Sequence, residues 1–309
     1  MRRFLLALAL AIDISSAFAP PVAAQTKPTA VATFSILGDM LARVAGDGFV
    51  VKTLVGPEGD GHVYQPTPAD AAEISKARIV FQNGLKFEGW MEKLIQSSGY
   101  RGELVTATKG LKPVTVPDRH GNADKHGHDH SGKSDPHAWQ SLSNALIYVR
   151  NIKDGLCRID IARCAAYAAN ASAYEAEIKA LDADIRRRME AIQPQSRKVI
   201  TSHDAFGYFA AAYGVRFLSP RGISTESEAS ARDVARLIDQ IRKEKVRALF
   251  VENISDPRLI EQIARETGVK PGGTLYSDAL SKRCGPAATY LDMMKYNATL
   301  LAAAMSPSS

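Results

Sequence analysis

Three histidines and one aspartate carry the clearest chemical signal in this chain: His62, His137, His203 and Asp278, each at a suspected strand end or strand-to-helix junction. Three neutral imidazoles and one carboxylate, if they converge, suit a four- or five-coordinate Zn2+ at about 2.0–2.2 Å, whereas manganese favours more oxygen donors. Singly each residue is weak evidence, because a histidine at a strand end more often makes an ordinary hydrogen bond and an aspartate there commonly caps the next helix. Together they carry weight. Their intervals are 75, 66 and 75 residues, so His203 and Asp278 repeat His62 and His137 at an offset of 141. That repeat predicts two similar lobes, each supplying two donors.

The other four histidines crowd together. His120, His126, His128 and His130 lie in HGNADKHGHDH, with Asp124 and Asp129 among them. Histidines alternating in a polar, glycine-bearing segment can capture borderline metals in many geometries at low individual affinity, so these four are read as accessory capture residues. The competing reading is a solvated loop with chance histidines, and four in eleven residues argues against it. The chain has no HExxH, and a fourth protein ligand would close the position that a zinc hydrolase keeps for water and substrate. A binding protein rather than an enzyme is expected.

The elements that must position these residues follow an alternation of apolar runs and amphipathic stretches. TAVATFS, VVKTLVG, RIVFQNG and GELVTAT read as strands in the first half, and KVITS, RFLSPRG, RALFVEN and GTLYS in the second, with helices between them. Pro68 is placed to open the helix after His62. PHAWQSLSNALIYVRNIKDGL reads as one helix, and AAYAANASAYEAEIKALDADIRRRMEAI as a helix long enough to cross between lobes. The expected fold is α/β: two similar lobes with mostly parallel sheets flanked by helices, joined by that long helix, with the metal site in the cleft between them. The expected boundaries are 25–165 for the first lobe, with 112–136 as a flexible His-rich loop, 166–194 for the linking helix, and 195–309 for the second lobe.

Residues 1–24, with two arginines before an apolar run and small residues at the end, read as a secretory signal. No cysteine lies near the expected cut, which argues against a lipid anchor and for a soluble periplasmic protein. Removing that segment takes the formal balance from +6 to +5, mildly basic and not a nucleic-acid signature; Arg186, Arg187 and Arg188 read as a solvated helix face. In an exported chain Cys157 and Cys164 are expected to pair as a structural disulfide. Cys284 is left over, by default a buried or half-buried thiol.

Four ordered motifs, GHVYQPTPAD, DPHAW, TSHDAFGYFAAAYG and LYSDAL, resemble the periplasmic metal-binding subunits of zinc and manganese ABC importers over essentially the whole mature chain. The resemblance implies two α/β lobes, one metal in the cleft, and His62, His137, His203 and Asp278 as the family's first to fourth ligands. Manganese importers of the family usually carry Glu where this chain has His203, so the resemblance implies Zn2+. Among zinc members the chain is most similar to the AztC-like group, with its His, His, His and Asp set and a short His tract. The implied partners are an ABC permease with its ATPase, contacted at the inner-membrane surface by a monomeric receptor, and a periplasmic zinc metallochaperone.

Overall fold

A computed structural model describes residues 27–116, 133–246 and 248–306. Residues 1–24, expected to be a secretory signal, and the clustered His120, His126, His128 and His130 lie outside the described residues. Strands β1 (Thr29–Phe34), β2 (Val50–Val55), β3 (Ile79–Gln82) and β4 (Glu103–Thr106) form a parallel sheet in the order β2-β1-β3-β4. Central β1 is buried along Ala30–Phe34, whereas edge strand β2 is largely open to solvent. That contrast is why the interior strand reads as an uninterrupted apolar run.

Helices α1 (Ser35–Ala45), α2 (Pro68–Lys76), α3 (Met91–Ser98) and α4 (Leu142–Ile159) complete the first lobe. The start of α2 is fixed locally: Pro68 occupies its first turn, and Thr67 and Asp70 form a reciprocal capping box that satisfies two otherwise unpaired N–H groups. Long α5 (Cys164–Glu190) packs on α1 and α4 at one end and on two second-lobe helices at the other. Its 27 residues span about 40 Å. The buried positions Tyr167, Ala171, Tyr174, Ile178, Ile185 and Met189 recur at steps of three, four or seven residues and sum to one apolar stripe. On its solvated side Arg186 pairs with Asp182, and Arg187 and Arg188 with Asp184.

The second lobe repeats the plan. Strands β7 (Lys198–Ile200), β8 (Arg216–Leu218), β9 (Ala248–Glu252) and β10 (Pro271–Leu275) are parallel in the order β8-β7-β9-β10. Helices α6 (Gly207–Tyr213), α7 (Ala231–Glu244), α8 (Arg258–Thr267) and α9 (Tyr290–Met305) flank them. Numbered within its own lobe, each sheet has the order 2-1-3-4. The lobes are therefore matched in topology, but the repeat is not 141 residues. Equivalent strands end at Phe34 and Ile200, Val55 and Leu218, Gln82 and Glu252, and Thr106 and Leu275, offsets of 163 to 170. The doubled interval among the donors is a coincidence of loop lengths, since His62 follows the second strand of its lobe and His203 follows the first of its own.

One large core runs through the first lobe and across to α9, including Phe34, Trp139, Tyr148, Tyr174, Tyr290 and Met294. A second, smaller cluster lies within the second lobe, where Leu237, Ile238 and Ile241 of α7 and Ile260 and Ile263 of α8 pack on Leu249 of β9. The lobes share buried apolar surface rather than hanging from a loose hinge.

Three expectations need correction. The 112–136 segment is not a free loop at its ends: β5 (Thr115–Val116) and β6 (Lys133–Ser134) pair antiparallel, and the Asp135 N–H donates to the Val114 carbonyl at 2.9 Å. Short polar strands of this kind lack the apolar alternation by which a strand is recognised. The helix read from Pro136 is broken into a 3-10 turn at Ala138–Gln140 and then α4, because Trp139 Nε1 and Gln140 Nε2 turn to donate to the Ser277 carbonyl of the second lobe. Cys284 is exposed, in the turn-rich stretch before α9. Cys157 and Cys164 are disulfide-bonded, joining the last turn of α4 to the start of α5.

Candidate metal centre

The strands deliver the donors at their carboxyl ends, where an open α/β sheet leaves a crevice. His203 lies three residues past β7 and Asp278 three past β10; His62 lies in the loop between β2 and α2. His137 comes from the segment between β6 and the 3-10 turn, so its position is set by that turn rather than by a strand. An aromatic wall backs the site: Phe34, Phe87 and Trp139 pack with ring centroids 4.9 Å apart, and Phe87 meets the His62 ring edge-on at 4.7 Å.

The structure brings all four predicted residues together. One donor atom from each lies within 4.8 Å of the others. His62 Nε2 is 3.1 Å from His137 Nε2 and 3.4 Å from Asp278 Oδ2. Asp278 is also 3.6 Å from His137 Nε2 and 3.3 Å from His203 Nε2. Four donors arranged tetrahedrally about one ion at about 2.1 Å would be separated by about 3.4 Å. The shorter separations bracket that value and all four donors lie within 4.8 Å of one another, a set that could close on one small cation.

Burial makes this arrangement costly without a cation. His137, His203 and Asp278 have no exposed surface and His62 retains 6 %. Both Asp278 carboxylate oxygens and His203 Nε2 are buried with no hydrogen-bond partner among the described residues. Such atoms are normally satisfied, and a cation at the centroid would satisfy them together. Burial by itself would raise the Asp278 carboxyl, but the neighbouring His137 and His203 hold it well below the usual carboxylate range. Burial would likewise lower the two imidazoles. Asp278 and Asp135 instead push His137 up to about 9, while Glu252 and Asp278 hold His203 well above its ordinary value. Both shifts favour the protonated imidazoles in the metal-free site, so an incoming cation competes with protons there.

Each of these two rings is oriented from behind by a carboxylate. Asp135 Oδ1 accepts from both the His137 N–H, at 2.9 Å, and Nδ1, at 2.7 Å. Glu252 Oε1 accepts from the His203 N–H at 2.9 Å, and its Oε2 lies 2.5 Å from His203 Nδ1, off the N–H axis and so an electrostatic contact more than a linear hydrogen bond. Fixing Nδ1 in this way leaves Nε2 as the free donor. Asp204, next to His203 in the chain, does not back a ring in this way; its N–H donates to the Gly222 carbonyl.

Asp135 is itself held by the Tyr208 hydroxyl, which donates to its carbonyl at 2.9 Å. Gly207 lets α6 approach, since a Cβ there would collide with Asp135 Oδ2. Further back, Asn83 Nδ2 donates to the Pro136 carbonyl at 2.9 Å, and buried Glu88 accepts from Thr33 Oγ1 and the Asn83 N–H at 2.6 Å each. Sequence reasoning missed Asn83, Glu88 and Tyr208. The NG ending β3 was read only as a strand end, and nothing local says that its amide reaches a residue 53 positions away.

The fold and site define a two-lobed solute receptor with a buried cluster of four metal-ligating side chains at the carboxyl ends of its sheets. The chain belongs to the ZnuA family, zinc-uptake complex component A, periplasmic, whose sequence profile matches residues 30–304. It is thus a metal-binding receptor of an ABC transporter, of the non-enzymatic substrate-binding kind. It is 36 % identical over 273 residues to the iron-binding protein YfeA of Yersinia pestis, covering 88 % of this chain and 84 % of that one. It is 29 % identical over 314 residues to the metal ABC transporter substrate-binding lipoprotein SloC of Streptococcus mutans, covering 99 % and 100 %. The manganese-bound periplasmic metal binding protein from Candidatus Liberibacter asiaticus superposes with a TM-score of 0.79 at 32 % identity, over 91 % of this chain and all of that one. No helix among the described residues is long and apolar enough to cross a membrane.

Proposed function

We propose that this chain is a periplasmic zinc receptor that captures Zn2+ with His62, His137, His203 and Asp278 and delivers it to the permease of an ABC importer. One observation carries the reading: three imidazole nitrogens and one carboxylate converge in a buried pocket, all within 4.8 Å of one another and with His62 Nε2 only 3.1 Å from His137 Nε2. A nitrogen-rich set of four suits Zn2+, whereas manganese seeks six oxygen-rich positions. His203 is the decisive residue, because a carboxylate there would shift the balance towards oxygen.

The residues themselves bind, orient and exchange protons. Asp135 and Glu252 keep His137 and His203 aimed, Asp278 supplies the balancing charge, and the aromatic wall excludes water on one side. The division into lobes at 25–165 and 195–309 about the helix at 166–194 belongs to this reading. So do export by the leader 1–24, a monomeric receptor, membership of the AztC-like group, loading from a periplasmic zinc metallochaperone, and an accessory capture role for His120, His126, His128 and His130.

The relatives named for iron and manganese support a second reading, a receptor for one of those metals. Competition against a chromophoric chelator distinguishes them. Zn2+ should be held far more tightly than Mn2+ or Fe2+, and His203→Ala should abolish tight Zn2+ binding. Tighter Mn2+ binding by the unmodified chain would favour the second reading, and retained tight binding by His203→Ala would remove the assignment.

A further inference from the structure

Of the four donors, His62 differs from the rest. It alone reaches solvent, through a mouth of about 400 Å³ lined by His62, Tyr64, Gln65, Trp90 and Lys93 of the first lobe and Glu226 of the second. Its ring is also the least constrained. His137 and His203 have carboxylates at Nδ1, whereas no hydrogen bond to the His62 Nδ1 is found among the described residues. What fixes His62 is its backbone: its N–H donates to Asp60 Oδ1 at 2.9 Å. The loop itself is under tension, with Glu58 in the left-handed region at φ 60°.

The other oxygen of the same carboxylate reaches across the cleft. Thr225 Oγ1 donates to Asp60 Oδ2 at 2.6 Å, linking residues 165 apart in sequence. Thr225 sits in the stretch between β8 and α7, which supplies no donor to the site. That stretch is tied in turn to the other donor loop, where the Asp204 N–H beside His203 donates to the Gly222 carbonyl at 3.0 Å. Elsewhere the His62 loop is tied to the Asp278 loop, by the Glu58 N–H to the Leu280 carbonyl at 2.9 Å and by Lys282 to Glu58 at 3.2 Å. The Thr225 contact is the one placed at the mouth, next to Glu226, where a cation would pass.

We infer that the cation passes through the mouth beside His62 and that Thr225, acting through Asp60, is the positioning residue that latches this mouth and sets the rate of exchange. This rests on the reading of the four donors as the zinc site. Since Thr225 touches Asp60 and not a donor, loss of the latch should speed opening whether or not the site is loaded. Capture and release then accelerate together and equilibrium affinity changes little. A residue that merely shaped the site would show the opposite split, with affinity lost through release alone.

The test compares Thr225→Val, which keeps the shape and removes the hydroxyl, with Thr225→Ser, which restores it. Stopped-flow capture of Zn2+ and release to a chelator should both rise about tenfold in Thr225→Val, in line with loss of a hydrogen bond to a carboxylate. Kd should stay within threefold, and Thr225→Ser should behave as the unmodified chain. In metal-free protein, amide exchange at Gly61 and His62 should accelerate in Thr225→Val alone. Unchanged rates and unchanged amide exchange would overturn the latch, as would weakened affinity with unaltered capture. Failure of the unmodified chain to bind Zn2+ would instead overturn the site reading, and the metal-free exchange measurement still decides the latch in that case.

Discussion

Zinc binding should release about two protons per ion at neutral pH, because both His137 and His203 must lose a proton to present Nε2. In the metal-free protein His137 is pushed up to about 9 by Asp278 and Asp135 against the effect of burial, and His203 is held well above its ordinary value by Glu252 and Asp278. Asp278 stays ionised because His137 and His203 hold it well below the carboxylate range. Below the two raised values each proton displaced weakens binding tenfold per pH unit. Affinity should therefore fall about 100-fold, or about 2.7 kcal/mol, between pH 7.5 and 6.5. Had the imidazoles kept their unperturbed pKa of about 6.5, most of that fall would lie below pH 6.5. Calorimetry at pH 7.0 in buffers of differing ionisation enthalpy counts the protons, and chelator competition across pH 6 to 8 gives the slope. Release of less than one proton, with a slope under tenfold per unit, would refute the electrostatics described for this site.

The same groups set the stability of the metal-free protein. A histidine whose pKa is raised on folding stabilises below its unfolded value of about 6.5, and that contribution, on the order of 3 kcal/mol for His137, is lost as pH rises towards 9. Thermal melts without metal should decline from pH 6.5 to 9.5, while zinc-loaded protein should not. Asp135→Asn should cost about 10- to 100-fold in zinc affinity by freeing the His137 ring. Gly207→Ala should act in the same direction by pushing on Asp135, with chelator competition as the measure of both. Replacing Cys157 and Cys164 with serine should lower unfolding free energy by about 2.5 kcal/mol, from the loop-closure entropy of a short loop, and leave zinc affinity unchanged. Deleting residues 120 to 130 should slow loading but leave the tight site within threefold of its affinity.

Much of this site is legible in the sequence because metal ligation draws on few residue types and parallel strands end where ligands gather. His203 and Asp278 each stand three residues past the end of a parallel strand, so a strand boundary locates them closely. The carboxylates behind the rings divide differently. Asp135 is two residues from His137 and could be named, whereas Glu252 meets His203 across 49 residues, through the pairing of β7 with β9. No local pattern encodes that adjacency, nor the link between Asp60 and Thr225. The 141-residue interval was misleading for a related reason: sequence distance sums loop lengths, while the true repeat is carried by strand order. The early end of the helix reading at Trp139 reflects an interlobe hydrogen bond to Ser277, a tertiary contact that overrides local helical preference.

The most direct test of the central claim is a structure of the zinc-loaded protein with the ion located by its anomalous scattering. The account predicts one ion between the lobes, bound by Nε2 of His62, His137 and His203 and by an Asp278 oxygen at about 2.0–2.2 Å. An ion bound elsewhere, or one that leaves His203 or Asp278 uncoordinated, would contradict it.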